Sequence, residues 1–211
     1  MKRSSCTIIV LFAVVLALFA VLPGCSSPAT SADTPASVPS APPAPEKTLS
    51  TLEPEQMILG LADLPGNYTL VNYGERNVSK IQPWMLNAGW KKGNYVMMQK
   101  NEPGSSVHPA IWHYVYKFPK ENASQVVSWQ ADGLVVYDAQ DDSNHTYTEL
   151  AAPGIGNTSR AVSMADKNSP EMMTVIVFSK YDVYEELWCN ATPVDYENLK
   201  KVAAIAAAKI R

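Results

Sequence analysis

The segment Met172–Ser179 carries apolar side chains on both of its faces. Successive side chains of an extended strand point to opposite sides of the sheet. Here Val175 lies on one face and Ile176 on the other, and the same alternation continues to Phe178. A strand that is apolar on both sides has to be covered on both sides. The sequence therefore predicts a strand near the centre of a sheet, with other elements packed above and below it.

Six further segments have the composition or the alternation of strands. Lys180–Asp182 connects the strand 172–179 to the next strand, and Asn101–Gly104 connects two earlier ones. Short connections of this kind join antiparallel neighbours, so both pairs are expected to be antiparallel. The predicted strands are residues 68–73, 90–100, 107–118, 146–150, 159–165, 172–179 and 183–190.

Four other segments show the apolar spacing of helices, at residues 54–61, 78–88, 121–136 and 196–210. Pro83 limits the second helix, Gly133 weakens the end of the third, and Asp195 can cap the last. Runs of consecutive strands interrupted by helices are typical of the α+β class. We predict a single antiparallel sheet of about six strands with helices packed on it, including a C-terminal helix.

The N-terminal segment predicts export from the cytoplasm. Lys2 and Arg3 precede Ile8–Leu22, a run of 15 residues without a charge. A secretory signal core has about 7–15 apolar residues, whereas a membrane-spanning helix needs about 20. No cluster of positive charges follows the run, and the next cation is Lys47. Residues 1–24 are therefore interpreted as a signal peptide, with a permanent membrane span as the alternative.

The junction from Leu22 to Cys25 resembles the lipobox of prokaryotic lipoproteins, in which an invariant cysteine receives lipid on its thiol. The resemblance implies that Cys25 becomes the first residue of the mature chain and carries the lipid. The alternative is that Cys25 is an apolar residue at the end of a hydrophobic run. Lipid attachment would make the membrane a partner through the anchor. The chain would then lie on the outer, extracytoplasmic face of the cell membrane.

Residues 25–51 are rich in Pro, Ser and Ala and contain no aromatic side chain. Such a segment cannot bury enough apolar surface to offset its ordering entropy. We interpret it as a disordered tether that precedes one globular domain, residues 52–211. Without residues 1–24, which carry two positive charges, the formal charge changes from −3 to −5. The sequence has no basic stripe, so nucleic acid is not an expected partner.

Asparagines in Asn-x-Ser/Thr sequons are more frequent than the composition alone would give. The sequons are typical of a glycosylated exported protein. The alternative is that these short polar residues concentrate in turns and helix caps. The candidate glycosylation sites are Asn67, Asn77, Asn122, Asn144, Asn157 and Asn190.

Four aromatic residues, Trp112, Tyr114, Tyr116 and Phe118, follow one another on the same face of the predicted strand 107–118. One interpretation is that they pack under a helix and against neighbouring strands. The other is that they form the floor of a site for a small ligand, such as a sugar or an apolar molecule. The sequence leaves both interpretations open.

The stretch PGIGNTSRAVSM, the later stretch MMTVIVFSKYDVYEELW and the closing Ala-rich helix resemble the C-terminal half of small envelope lipoprotein domains, the LpqN-like and PsbP/Mog1-like folds. These families have an Asp where this chain has Asn157, and an Arg and Gly in the turn that is Ser179–Asp182 here. The resemblance covers about 60 residues of this chain. It implies a sheet of about six strands sandwiched by helices, and a binding role.

The sequence contains no nucleophile motif, phosphate-binding loop or metal-ligand spacing. Cys189 is interpreted as a small buried hydrophobe. We therefore expect no catalytic residue, no metal and no cofactor. The leading hypothesis is a lipid-anchored, non-enzymatic binding or accessory module of the cell envelope, with an unidentified small ligand or an envelope protein as its partner. The alternatives are a structural, protein-interacting envelope lipoprotein and, third, an uncharacterised enzyme.

Overall fold

The computed structural model of the chain describes residues 49–101, 104, 108–140, 144–168, 172–191 and 195–211, with only the backbone of 137–140 and 191. The predicted signal peptide, Cys25 and nearly all of the predicted tether lie outside the described residues. Within the described ranges, no helix combines the length and the hydropathy needed to cross a membrane.

The described part of the chain forms seven strands and four α-helices. The strands are β1 (Tyr68–Glu75), β2 (Lys92–Lys100), β3 (Ala110–Lys117), β4 (His145–Glu149), β5 (Thr158–Asp166), β6 (Met172–Lys180) and β7 (Val183–Ala191). The helices are α1 (Pro54–Met57), α2 (Pro83–Asn87), α3 (Lys120–Gln140) and α4 (Tyr196–Lys209).

The strands form one sheet in the order β1-β2-β3-β7-β6-β5-β4, and every neighbouring pair is antiparallel. This confirms the predicted α+β class and the single antiparallel sheet, which has seven strands where about six were expected. The predicted antiparallel pairing of β2 with β3 and of β6 with β7 is also confirmed.

Helices cover the sheet on both sides. On one side, which we call the α4 face, α1 and α4 pack over a core that contains Ile176 and Leu187. On the other side, the α3 face, α2 and α3 pack over a core that contains Val177 and Tyr184. Residues 174–179 of β6 are buried. The prediction that this strand is covered on both sides is therefore confirmed, and β7 beside it is the middle strand of the seven.

The predicted helix 78–88 is two separate elements, a 3₁₀ turn at Val78–Lys80 and the helix α2. Pro83 is the first residue of α2, a position where its missing N–H costs no hydrogen bond. The residue before a proline avoids the helical region, and Gln82 accordingly has an extended ψ of 139°. Proline thus starts this helix instead of ending one.

The third predicted helix extends further than expected. Gly133 was expected to weaken its end, but α3 continues to Gln140. Apolar side chains hold the helix against the α3 face, and Ala123, Val126 and Ala131 are fully buried. This tertiary packing overrides the low helix propensity of a single glycine.

The segment Gly156–Asn157, part of the PGIGN stretch, docks on the turn between β6 and β7. The backbone N–H of Asn157 donates to the carbonyl of Ser179 (2.7 Å), and its side-chain Oδ1 accepts from the N–H of Tyr181 (2.9 Å). Gly156 has a φ of 67°, and a Cβ there would lie 2.2 Å from the carbonyl oxygen of Ser179. The glycine and the asparagine therefore hold this turn against β5.

Ser50 is held against the α4 face by hydrogen bonds. The N–H of Ser50 donates to Oδ1 of Asp182 (2.6 Å), and the Ser50 hydroxyl donates to the carbonyl of Arg211 (2.9 Å). The N–H of Thr51 donates to the same carbonyl (2.8 Å). Ser50 is buried. Both residues thus belong to the folded domain, whereas the sequence had placed them in the tether.

Candidate ligand-binding cleft

A cleft of about 400 Å³ opens on the α3 face of the sheet, between the strands and the helices α2 and α3. Its floor is made of Tyr114 and Tyr116 from β3 and of Glu186 and Trp188 from β7. The register of the two strands brings these residues together, because Tyr114 pairs with Glu186. The cleft is of the size that small-molecule sites have.

Tyrosine rings form a ladder across the floor. The ring of Tyr114 stacks on Tyr95 and on Tyr116, each with centroids 6.2 Å apart, and Tyr116 stacks on Tyr184 at 6.0 Å. Gly93 lies opposite Tyr116, and a Cβ there would be 2.3 Å from the ring. The glycine therefore lets the Tyr116 ring lie over β2. Because each ring in this row stacks on its neighbours, the row offers a ligand a rigid apolar surface.

The four aromatic residues singled out in the sequence have different places. Tyr114 and Tyr116 line the cleft. Phe118 is fully buried in the core and meets Tyr184 edge to face. Trp112 pairs with Met97 and Trp188 across the sheet and is only partly buried. Core packing thus describes Phe118 and also Tyr116, which is 3% exposed, whereas Tyr114 is a partly buried ring of the floor.

Arg76 forms one wall of the cleft. Its guanidinium lies over the rings of Tyr114 (5.2 Å) and Tyr95 (5.8 Å), and its Nη2 donates to the carbonyl of Lys80 (3.1 Å). Its buried Nε has no hydrogen-bond partner within the described part of the chain. Among the same residues, neither Arg76 nor Lys80 forms an ion pair with a carboxylate. The wall is therefore electropositive.

Glu186 is a buried carboxyl in the floor. Its Oε1 accepts from the hydroxyl of Tyr184 and its Oε2 from Nε1–H of Trp188, both at 2.9 Å. Burial raises the pKa of Glu186 above its ordinary value, although these two hydrogen bonds and the charge of Arg76 act in the opposite direction. Burial likewise raises the pKa of Tyr114 and Tyr116. Both phenols therefore stay protonated at neutral pH and can donate hydrogen bonds.

The outer part of the cleft is apolar. A second hollow of about 360 Å³ shares Trp84, Trp129 and Gly133 with it. Trp129 of this outer part is 43% exposed. A Cβ added at Gly133 would meet nothing within 4 Å. The space in front of this helical glycine is thus part of the cleft.

The predicted glycosylation sites differ in access. The side chains of four are exposed and two are partly buried. Nδ2 of Asn122, the atom that would carry a glycan, donates to the carbonyl of Ala88 (2.9 Å), and Oδ1 of Asn190 accepts from the N–H of Ala110 (2.7 Å). The exposed sites are Asn67, Asn77, Asn144 and Asn157.

Several lining residues were not predicted from the sequence. Arg76, Trp84, Trp129 and Glu186 come from four separate segments, which only the folded sheet and helices bring together. A sequence signal existed for Glu186. It stands between Tyr184 and Trp188 at an inward position of a buried strand, where a carboxyl is unusual.

Together, the fold and the cleft define an α+β domain with one seven-stranded antiparallel sheet and an aromatic-lined pocket on one face. It is similar to the extracellular domain of PknH from Mycobacterium tuberculosis, with a TM-score of 0.58 and 10% identity over 77% of this chain and 98% of that chain. At this identity the likeness shows the fold alone. No family model and no curated protein matches the sequence. The LpqN-like or PsbP/Mog1-like assignment stays a prediction.

Proposed function

We propose that this chain is an extracytoplasmic binding module, held at the cell membrane by a lipid on Cys25, that takes a small ligand into the cleft on the α3 face. The observation that carries the proposal is Gly133. Glycine in a helix costs about 1 kcal/mol relative to alanine. No neighbouring atom requires its missing side chain, because a Cβ would meet nothing within 4 Å. What the glycine provides is open space in the hollow that it lines together with Trp84 and Trp129.

Several features support the extracytoplasmic place of this function. The N-terminal segment has the length and charge of a secretory signal, followed by the lipobox-like junction at Cys25. The similar fold of PknH is an extracellular domain. Ser50, where the chain joins the domain, lies on the α4 face with its contacts to Met57 and Asp182. The cleft is on the opposite face of the sheet from Ser50.

The chemistry of the lining supports binding without catalysis. Among the described residues of the lining, none is a histidine, cysteine, serine or aspartate. Glu186 is the acidic group present, and both of its oxygens already accept hydrogen bonds from Tyr184 and Trp188. A nucleophile with an adjacent base, which covalent catalysis needs, is not formed by this set.

Thermal-shift screening of the full chain tests the proposal, with sugars, organic acids and lipids as the library. A ligand at 100 times its Kd stabilises the folded state by about 2.7 kcal/mol. We expect at least one compound to stabilise the wild type. Gly133→Leu fills the cleft and should abolish that shift. Gln125→Leu adds the same side chain at an exposed position of α3 outside the lining, and should keep it.

Two outcomes would reject a ligand-binding cleft. One is that no compound stabilises the wild type. The other is that Gly133→Leu and Gln125→Leu respond alike to a compound that binds.

A protein-interaction role is the second candidate, and the edge strand β1 favours it. Leu70, Val71 and Tyr73 of this strand are exposed by 47–69%. Apolar side chains on a sheet edge are typical of interaction surfaces. A photo-crosslinker at position 73 in intact cells should then capture one defined partner, whereas a crosslinker at the exposed Lys201 should not.

A further inference from the structure

The positive wall of the cleft forms no close ion pair among the described residues. Arg76 is half-buried and its Nε is buried without a hydrogen-bond acceptor, and Glu186 acts on it only through charge at longer range. Lys80 lies beside it in the same lining. A partly buried cation without a partner is unfavourable. The chain as a whole is acidic, with a net charge of −3, so these two cations are not part of a general basic surface.

Arg76 is held in a fixed orientation before any ligand arrives. Its backbone N–H donates to the carbonyl of Gly93 (2.8 Å), its Nη2 donates to the carbonyl of Lys80 (3.1 Å), and its guanidinium carbon lies 5.2 Å from the centroid of the Tyr114 ring. The planar guanidinium matches a carboxylate by two parallel hydrogen bonds. Preorganisation of this kind lowers the entropy lost on binding. The residue is therefore placed to receive an anionic group in the cleft.

The rest of the lining restricts the anion. Glu186 lies in the same floor, so a strongly charged dianion such as phosphate would meet a second acidic group. The outer wall is Trp84 and Trp129, which favour a flat or apolar body. The amide of Gln130 can bond to polar substituents on that body. A flat, compact molecule with a single negative charge is therefore compatible with all of these lining residues.

We propose that the cleft binds a small organic monocarboxylate, whose carboxylate lies against Arg76 and Lys80 and whose flat body lies against Trp84 and Trp129. The proposal rests on the proposed function and adds the chemical class of the ligand. A carboxylate gives Arg76 a close ion-pair partner and leaves the hydrogen bonds of Glu186 in place.

Matched pairs of ligands that differ only in the acid group test this proposal by isothermal titration of the full chain. The pairs are indole-3-propionate with indole-3-propanol, and glucuronate with glucose. Because a hydrogen bond to a charged group is stronger than one to a neutral group, the acid of at least one pair should bind tenfold or more tightly than its neutral partner. That preference should fall when the salt concentration rises.

Single substitutions test whether Arg76 and Lys80 cause the preference for the acid. Arg76→Gln and, independently, Lys80→Gln should reduce the acid's affinity towards that of the neutral partner. Lys201→Gln removes one charge from the exposed surface of α4 and should leave the preference unchanged. Circular dichroism and the melting temperature check that each variant is folded. Lys80 is exposed, so its replacement keeps the test valid if Arg76→Gln does not fold.

The outcomes separate this inference from the proposed function. Equal binding of acid and neutral partner, or tighter binding of inorganic phosphate, would overturn the monocarboxylate and leave a ligand-binding cleft. An acid preference that survives in both Arg76→Gln and Lys80→Gln would also overturn it. If neither these compounds nor the wider library bind, the proposed function itself fails.

Discussion

Nε2 of His113 lies 3.0 Å from Oε2 of Glu185, and both side chains are fully buried in the α4 face of the sheet. The N–H of Leu59 donates to Nδ1 of His113 (3.1 Å), so that nitrogen is the unprotonated one. The imidazole is thereby assigned as neutral, with Nε2–H donating to the carboxylate. Within the described residues, Oε1 of Glu185 is buried without a hydrogen-bond partner.

Replacing one member of this pair should lower the free energy of unfolding more than replacing both members. His113→Phe leaves the carboxyl of Glu185 buried and unpaired, which should lower the free energy of unfolding by about 3–5 kcal/mol. The double variant His113→Phe/Glu185→Leu should recover most of that loss, because an apolar pair needs no partner. Urea denaturation of the three chains measures the difference. Additive losses in the double variant would contradict the coupling.

The buried carboxyl of Glu186 should make the free energy of unfolding fall as the pH rises. Burial raises its pKa above 4.5, so the folded chain binds this proton more tightly than the unfolded chain. The stabilisation is complete below the unfolded pKa and is lost as the pH rises through the folded pKa. Gln does not titrate and can keep both hydrogen bonds, since the Tyr184 hydroxyl can also accept.

Glu186→Gln should therefore gain stability over the wild type as the pH rises above 4.5, by at most about 1.4 kcal/mol per pH unit. Denaturation of both chains across a pH series gives the difference. A constant difference from acidic to neutral pH would show that folding does not raise this pKa.

Gly133→Ala should stabilise the chain. Alanine lowers the conformational entropy of the unfolded state and favours the helix by roughly 0.5–1 kcal/mol. The added methyl group meets nothing within 4 Å. A higher urea midpoint at an unchanged slope is the expected result. Destabilisation would mean that the space in front of Gly133 is smaller than described, and would weaken the case for an open cleft.

The predicted lipid attachment is tested on Cys25 directly. Mass spectrometry of the membrane fraction should find a mature N-terminus at Cys25 with added lipid mass. Cys25→Ser should move the chain to the soluble fraction, since the anchor supplies most of the membrane affinity. Cys189→Ser is the matched control: burial raises the pKa of that thiol to about 11, and its replacement should leave the distribution unchanged. A mature Cys25 without lipid mass would disprove the assignment.

The strand pattern was predictable because it depends on local alternation. The two apolar faces of Met172–Ser179 were enough to predict a covered strand, and the short connection to β7 was enough to predict an antiparallel pair. The continuation of α3 from residue 136 to Gln140 was not predicted, because no local pattern marks it. Only part of the cleft lining was predicted from the sequence. Tyr114 and Tyr116 are neighbours along one strand, whereas the pairing of Tyr114 with Glu186 depends on β3 and β7 lying side by side.

The hydrogen bonds of Ser50 and Thr51 have a mechanical consequence. A pulling force on the chain before residue 50 reaches the bond to Asp182 and the bond from Thr51 to Arg211 first. The first of these connects to the turn between β6 and β7, and the second to the residue that follows the end of α4. The force is thus shared between the sheet and the residue after α4, and it does not act first on an edge strand. The residues of the cleft, on the other face, bear this force only after these two hydrogen bonds break.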